Sequence, residues 1–173
     1  MISVQQDFLP VALLNEIISL KDDAIKSHSA KWYTSLSWPD NVRLCSGTIC
    51  ILSLEEYISD FKALYVAFDD KYQNYDFMVQ LNVWTPGSYI PWHKDGSKDF
   101  ASTIYLNADW DVNAGGIFLY KDHKGDIRGE FPEFNKMVVN NNQVEHHVTM
   151  IPHSAKEDRV TIQVWGWRND NAK

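Results

Sequence analysis

The sequence predicts a mainly β fold with N-terminal helices. Three observations carry this expectation. Two stretches in the first third space their apolar residues at the helical period. From residue 76 onward, short β-type runs recur along the chain. Turn formers separate those runs: Pro86-Gly87, Gly96-Ser97, Gly115-Gly116, Gly125-Asp126 and Asn140-Asn141-Asn142. Many short strands at this spacing make a sandwich or barrel, and helices ahead of them suggest a jelly roll buttressed on one side.

Taken in order, Pro10 suits the first turn of a helix. Leu13, Leu14, Ile17, Ile18, Ala24 and Ile25 then follow helical spacing. Residues 30–43 combine Trp32, Tyr33 and Trp38 with the turn formers Pro39, Asp40 and Asn41, and read as an aromatic loop. A strand is expected at 44–52. Ser53 and Glu56 form a capping-box pattern opening a second helix to about Lys71. Its stripe of Leu54, Tyr57, Ile58, Phe61, Leu64, Tyr65 and Phe68 is a packing face. Strands follow at 76–84, 100–107, 116–121, 135–140, 144–151 and 159–167. No repeat, low-complexity tract or linker interrupts the chain. Its 173 residues read as one domain, 1–173, with helical support over about 1–75 and a β core over about 76–167.

Composition narrows the function. The chain is 45% hydrophobic and holds seven Trp, enough both to fill a core and to line a pocket. A formal net charge of −7 and no Lys/Arg run weigh against a nucleic-acid partner. Cys45 and Cys50 are five apart in the expected strand, which separates their Cα atoms by roughly 16 Å, beyond the disulfide limit of about 7 Å. Both read as reduced thiols, and with neither a signal-peptide pattern nor a membrane-spanning apolar stretch the expected location is cytoplasmic.

The most informative residues are His93 and Asp95, followed some way on by His146-His147 and Arg159. Two positions apart on one strand, His93 and Asp95 point the same way and can share a cation. A second strand would bring one of the two later histidines. Two imidazoles and a carboxylate on one face of an ion form the ligand set of non-haem Fe(II) oxygenases. Arg159 lies in an otherwise apolar strand, where its fork calls for a counter-ion: a ligand carboxylate, or the adjacent Glu157 or Asp158. Trp165, six residues on, shares its face.

Longer motifs place the chain in a family. Ser102-Thr103-Ile104-Tyr105-Leu106-Asn107-Ala108-Asp109-Trp110-Asp111 with Gly115-Gly116 resembles the Y-L-N-x-D-W-D…G-G segment of prolyl-hydroxylase-like Fe(II)/2-oxoglutarate-dependent oxygenases. Trp84-Thr85-Pro86-Gly87 before His93-x-Asp95 resembles that family's approach to its iron ligands. Pro132 to Val139, His146-His147-Val148-Thr149 and Arg159 to Trp165 resemble its later strands. Trp84 stands where the family often has Tyr, and Asn140 near where it often has an aromatic.

The resemblance implies a double-stranded β-helix. It implies Fe(II) held by His93, Asp95 and His146, the H-x-V pattern selecting His146 over His147. It implies that Arg159 anchors 2-oxoglutarate, with Tyr105, Trp165, Phe118 and Val148 around the co-substrate. The implied reaction uses O2 and couples oxidative decarboxylation of 2-oxoglutarate to hydroxylation of a C–H bond, with no protein nucleophile or base. Ascorbate is included among the small molecules bound. The expected prime substrate is a prolyl residue of a protein or peptide, met by Trp32, Tyr33, Trp38 and Trp84, with residues 30–43 as a lid. Two alternatives stand beside it: the same chemistry on a free amino acid or nucleobase, and a non-enzymatic cupin-like metal-binding or sensing module.

Overall fold

The structure is a computed structural model that describes residues 1–34, 37–38, 43–44, 47–96 and 98–169. In chain order its elements are β1 (Ile2–Gln5), α1 (Val11–Lys26), β2 (Lys31–Thr34), β3 (Ser37–Trp38), β4 (Arg43–Leu44), β5 (Thr48–Ser53), α2 (Ile58–Phe68), β6 (Tyr75–Trp84), β7 (Ile90–His93), β8 (Phe100–Tyr105), β9 (Phe118–Lys121), β10 (Ile127–Glu130), β11 (Met137–Asn141), β12 (His146–Val148) and β13 (Arg159–Arg168). The strands form a large antiparallel sheet, β1-β11-β8-β13-β6-β5-β2, and a small one, β10-β9-β12-β7, with β3 and β4 paired separately. Two facing antiparallel sheets with interleaved chain order are the double-stranded β-helix expected above.

Strand alternation divides the large sheet between two cores. Phe77, Val79, Leu81 and Val83 of β6, with Ile162 and Val164 of β13, turn toward the helices and join Leu14, Ile17, Phe61 and Tyr65. The alternate positions face the small sheet: Trp84, Tyr105 and Val138 meet Ile90, Phe118 and Val148. Phe100 anchors the helix side, with its ring stacked on Tyr65 at 5.4 Å between centroids. Gly166 sits directly beneath it, and a Cβ there would lie 2.0 Å from a Phe100 ring carbon.

The first third differs from the sequence reading in instructive ways. Pro10 precedes α1 as its N-cap rather than occupying its first turn. The Ser53/Glu56 capping box does not form: Ser53 ends β5, and a 3-10 turn at Glu55–Tyr57 leads into α2 without a side-chain cap. The helix stops at Phe68 and a second 3-10 turn covers Asp70–Asn74. Strand pairing of β5 with β6 uses Ser53 opposite Gln80, and this tertiary ladder takes precedence over a local cap. The segment read as an aromatic loop carries β2, which pairs with β5, and the β3–β4 pair. Strands β1 and β10 were not anticipated from sequence, being short and largely exposed. Pro39, Asp40, Asn41, Cys45 and Ser97 lie outside the described residues, so the Cys45–Cys50 separation does too. Cys50 is buried and unpaired by disulfide, and burial pushes its thiol up. No helix among the described residues is long and apolar enough to cross a membrane.

Candidate metal and co-substrate site

The site is assembled from the small sheet. Strand β12 lies between β9 and β7, and its register sets His146 opposite both Tyr120 and His93. His93 is the last residue of β7, so Asp95 lies just past the strand rather than on it. The carboxylate still reaches both imidazoles. Its Oδ1 lies 3.9 Å from His93 Nε2 and its Oδ2 3.6 Å from His146 Nε2. One ligand-type atom from each of the three residues falls within 4.8 Å of the others.

The distal ring nitrogens decide what this cluster can hold. His93 Nδ1 lies 2.8 Å from the Pro91 carbonyl oxygen, and His146 Nδ1 lies 2.9 Å from that of Val144. A carbonyl only accepts, so each Nδ1 carries a proton and donates it, which leaves Nε2, the nitrogen facing Asp95, as the atom available to ligate a metal. Two such nitrogens and a carboxylate that is buried, with no hydrogen bond to its Oδ2, converge on one point. Such a set of ligand atoms suits a divalent cation. Phe118 stacks on the His146 ring at 4.9 Å between centroids and shields it.

His147 takes no part in the cluster. It faces the other side of β12, where it stacks on Trp92 at 5.5 Å between ring centroids, and burial pushes its imidazole below the ordinary range.

A cavity joins the cluster to the inner face of the large sheet. Trp84, Ile90, Phe118, Val138, Val148 and Trp165 wall it, and Asn82, Asn140 and Gln163 add polar groups. The Trp84 indole N–H donates to Thr161 Oγ1 at 3.2 Å, so it is committed to the wall. Register carries the same sheet face to Arg159, which lies opposite Trp84. Arg159 is 1% exposed, and its Nε and Nη2 have no hydrogen-bond partner. The sequence alternative, an ion pair with Glu157 or Asp158, is absent among the described residues. Asp158 feels the charge of Lys21 instead, and Glu157 accepts from Asn107 Nδ2 at 3.0 Å. Burial pulls the guanidinium below its ordinary pKa, and the Tyr105 hydroxyl beside it partly offsets this; the Tyr105 ring lies 5.1 Å from Arg159 Cζ. The Tyr105 hydroxyl is also buried and makes no hydrogen bond of normal geometry; burial pushes it up, and the Arg159 guanidinium beside it opposes that. Three orphaned polar groups on two neighbouring side chains make a cradle for an anion.

Two residues read from sequence only as motif or turn residues support this cradle. Asn107 accepts from Val160 N at 2.7 Å and donates to the Asp158 carbonyl at 2.9 Å, so its amide brackets Arg159 on both sides. Gly116 has a positive φ of 66°, and a Cβ there would lie 2.7 Å from Arg159 Cδ. Glycine is needed at that position for both reasons. Neither role was visible in sequence, because each depends on a partner more than forty residues away.

The aromatic residues expected at the substrate do not all share a side. Tyr33 pairs with Ile49, on the face between the sheets, whereas Trp32 pairs with Cys50, on the helix side. Both are well exposed and neither lines the cavity. Trp38 pairs through its backbone with Arg43.

A double-stranded β-helix with a His/Asp/His cluster and a buried, unpaired Arg on one inner face has the plan of a non-haem iron oxygenase. Residues 79–167 match the 2OG-Fe(II) oxygenase superfamily, and the chain belongs to it. It is therefore an oxygenase that works with Fe(II), 2-oxoglutarate and O2. No curated protein matches the sequence significantly. Among solved structures, a Pseudomonas putida prolyl-4-hydroxylase superposes with a TM-score of 0.75 at 19% identity, over 97% of this chain and 92% of that one. A Trichoplax adhaerens prolyl hydroxylase, solved with a peptide fragment of the hypoxia inducible factor oxygen degradation domain, gives 0.74 at 16% identity, over 96% and 83%. A Burkholderia pseudomallei oxidoreductase of the 2OG-Fe(II) oxygenase family gives 0.62 at 13%, over 98% and 85%. At these identities the likeness shows the fold.

Proposed function

We propose that this single-domain protein hydroxylates a C–H bond of a peptide or protein, with proline as the expected target, and that His93, Asp95 and His146 hold its iron. The observation that carries the reading is the convergence of His93 Nε2, His146 Nε2 and the unpartnered Asp95 oxygen in one cavity. The bound metal supplies the activation of O2 and of the α-keto acid; the chain supplies ligands, orientation and shelter from water. Arg159 and Tyr105 receive the distal carboxylate of 2-oxoglutarate, satisfying groups that are otherwise buried and unpaired. That anchor fixes the co-substrate's direction relative to the cluster. Trp84, Phe118, Val148 and Trp165 form its apolar walls. No side chain is needed as a nucleophile or general base.

The peptide substrate is supported by the shared fold of two prolyl hydroxylases, one of them solved with a peptide. Membership in an oxygenase superfamily decides between an enzyme and a metal-binding module in favour of the enzyme. A free amino acid or nucleobase remains the alternative substrate. Anaerobic titration with Fe(II) and 2-oxoglutarate should give a charge-transfer absorption, and aerobic turnover should release succinate. His93→Ala and Asp95→Ala should lose both; full turnover in either variant defeats the ligand assignment. A peptide array read by a 16-dalton gain, the mass of one oxygen atom, then decides the substrate: modification of free amino acids or nucleobases alone would overturn the peptide reading.

A further inference from the structure

Resting on the metal-centre reading above, we propose that Asn140 is a positioning residue: its carboxamide holds the turn that supplies the hydrogen-bond acceptor for His146. Asn140 lies on the inner face of β11, opposite Ala101 of β8, is 2% exposed and borders the metal-site cavity. Its side chain uses both ends on one residue. Oδ1 accepts from Val144 N at 2.9 Å, and Nδ2 donates to the Val144 carbonyl at 2.9 Å. Because one end must meet an N–H and the other a C=O, the amide has a single orientation that satisfies both.

The Val144 carbonyl is also the acceptor for His146 Nδ1. Asn140 Nδ2 and His146 Nδ1 therefore sit side by side, 3.1 Å apart, as two donors to one oxygen. An oxygen with two lone pairs accommodates both. The alternative, Asn140 donating to an unprotonated Nδ1, would place the proton on Nε2 and block the nitrogen that faces Asp95. The doubly bonded carbonyl selects the tautomer that leaves Nε2 free.

The turn needs this clamp because its backbone is strained. Asn142 and Gln143 follow one another with φ of 64° and 53°, and neither is glycine. Successive left-handed residues are costly unless the surroundings hold them. Outer bonds contribute, from Asn142 N to the Asp99 carbonyl and from Gln143 Nε2 to that of Lys98. Apart from His146 itself, only Asn140 reaches Val144 from the cavity side among the described hydrogen bonds. His93 shows the contrast: its acceptor, the Pro91 carbonyl, lies within β7, where the register against β12 shifts, and has no comparable side-chain clamp among the described hydrogen bonds.

The test compares wild type, Asn140→Ala and Asn140→Asp, the last keeping the acceptor for Val144 N while losing the donor. Fe(II) is titrated anaerobically at saturating 2-oxoglutarate, and the Zn(II) form is examined by nitrogen-15 NMR of the imidazoles. In wild type, His146 should show a protonated, exchange-protected Nδ1 and a metal-bound Nε2. Asn140→Ala should weaken Fe(II) binding by about 10–100-fold, with loss of Nδ1–H protection and an unchanged His93 signal. Asn140→Asp should fall between the two. Equal Fe(II) affinity and retained Nδ1–H protection in Asn140→Ala would overturn the role of Asn140 alone. Wild-type protein that binds Fe(II) but shows His146 ligating through Nδ1 would also overturn it, whether or not the variants fold. Wild type that takes up no metal would overturn the metal centre and this role together.

Discussion

Arg159 is the residue at which burial and charge are least reconciled. A guanidinium that is 1% exposed, with two nitrogens unpaired, weakens the ligand-free fold. Its benefit is realised only when an anion arrives. Arg159→Leu should therefore abolish 2-oxoglutarate binding while leaving the melting temperature of the ligand-free protein equal or higher; a large drop in that temperature would show the charge to be structurally satisfied. Calorimetry with metal-loaded protein measures the first effect and thermal scanning the second. Its neighbour Asp158 provides a pH test. Burial, then repulsion by Glu157, raises its carboxyl above the ordinary value of 3.8, with Lys21 opposing. The folded state thus holds this proton more tightly than the unfolded chain, so stability from Asp158 is lost as pH rises through the folded pKa. Asp158→Asn should be more stable than wild type at neutral pH and equal to it once the solution is acidic enough to protonate Asp in both states. Urea denaturation across pH measures this, and a difference that persists in acid would contradict it.

At the scale of elements, three asparagines act as side-chain splints. Asn107 brackets the start of β13, Asn140 brackets Val144, and Asn135 ties the turn before β11 to Leu9. Asn135 accepts from Leu9 N at 2.8 Å, donates to the Leu9 carbonyl at 2.9 Å and holds a φ of 55°. Asn tolerates that conformation better than Ala does. Losing two buried bonds should cost Asn135→Ala about 2–3 kcal/mol, which lowers the melting temperature by about 4–12 °C for a domain of this size. A shift below one degree would mean that water replaces the amide. These splints explain what was and was not legible. The Pro-x-Phe-Asn stretch, the Tyr-Leu-Asn stretch and Asn140 were all visible as motif or turn residues. Their partners were not, because a hydrogen bond to a distant backbone leaves no periodic trace. The missing cap at Ser53 is the converse: the local signal was present, and β5 pairing with β6 claimed the residue first.

For the whole molecule, the site lies between the two sheets, so ligands should act as a mortar. On the function proposed above, a divalent ion would bind groups contributed by β7, β12 and the segment after β7, and 2-oxoglutarate would bridge from that cluster to β13. Neither site exists in the unfolded chain. A ligand at a hundred times its dissociation constant should therefore stabilise the fold by about 2.7 kcal/mol. Thermal scanning should show the melting temperature rising with metal, rising again when 2-oxoglutarate is added, and returning to the apo value with a chelator. A second rise that occurs equally without metal would mean that Arg159 alone carries the co-substrate. The acidic balance of −7 belongs to this scale too. It favours basic or neutral peptide surfaces over polyanions through long-range repulsion.

Periodicity and turn chemistry in the chain were enough to determine a β-rich core behind two helices, because alternation and 3.6-residue spacing are local properties that each segment carries alone. The motifs named His93, Asp95, His146 and Arg159, and their order along the chain followed from sequence. What only the tertiary structure decided was convergence and environment. Register placed His146 inward and His147 outward, set Trp32 and Tyr33 on opposite faces, and brought the Asn140 amide to the Val144 carbonyl that His146 also meets. Those outcomes depend on which distant backbone lies opposite, and that is fixed by sheet pairing over long separations, not by any pattern within a window of residues.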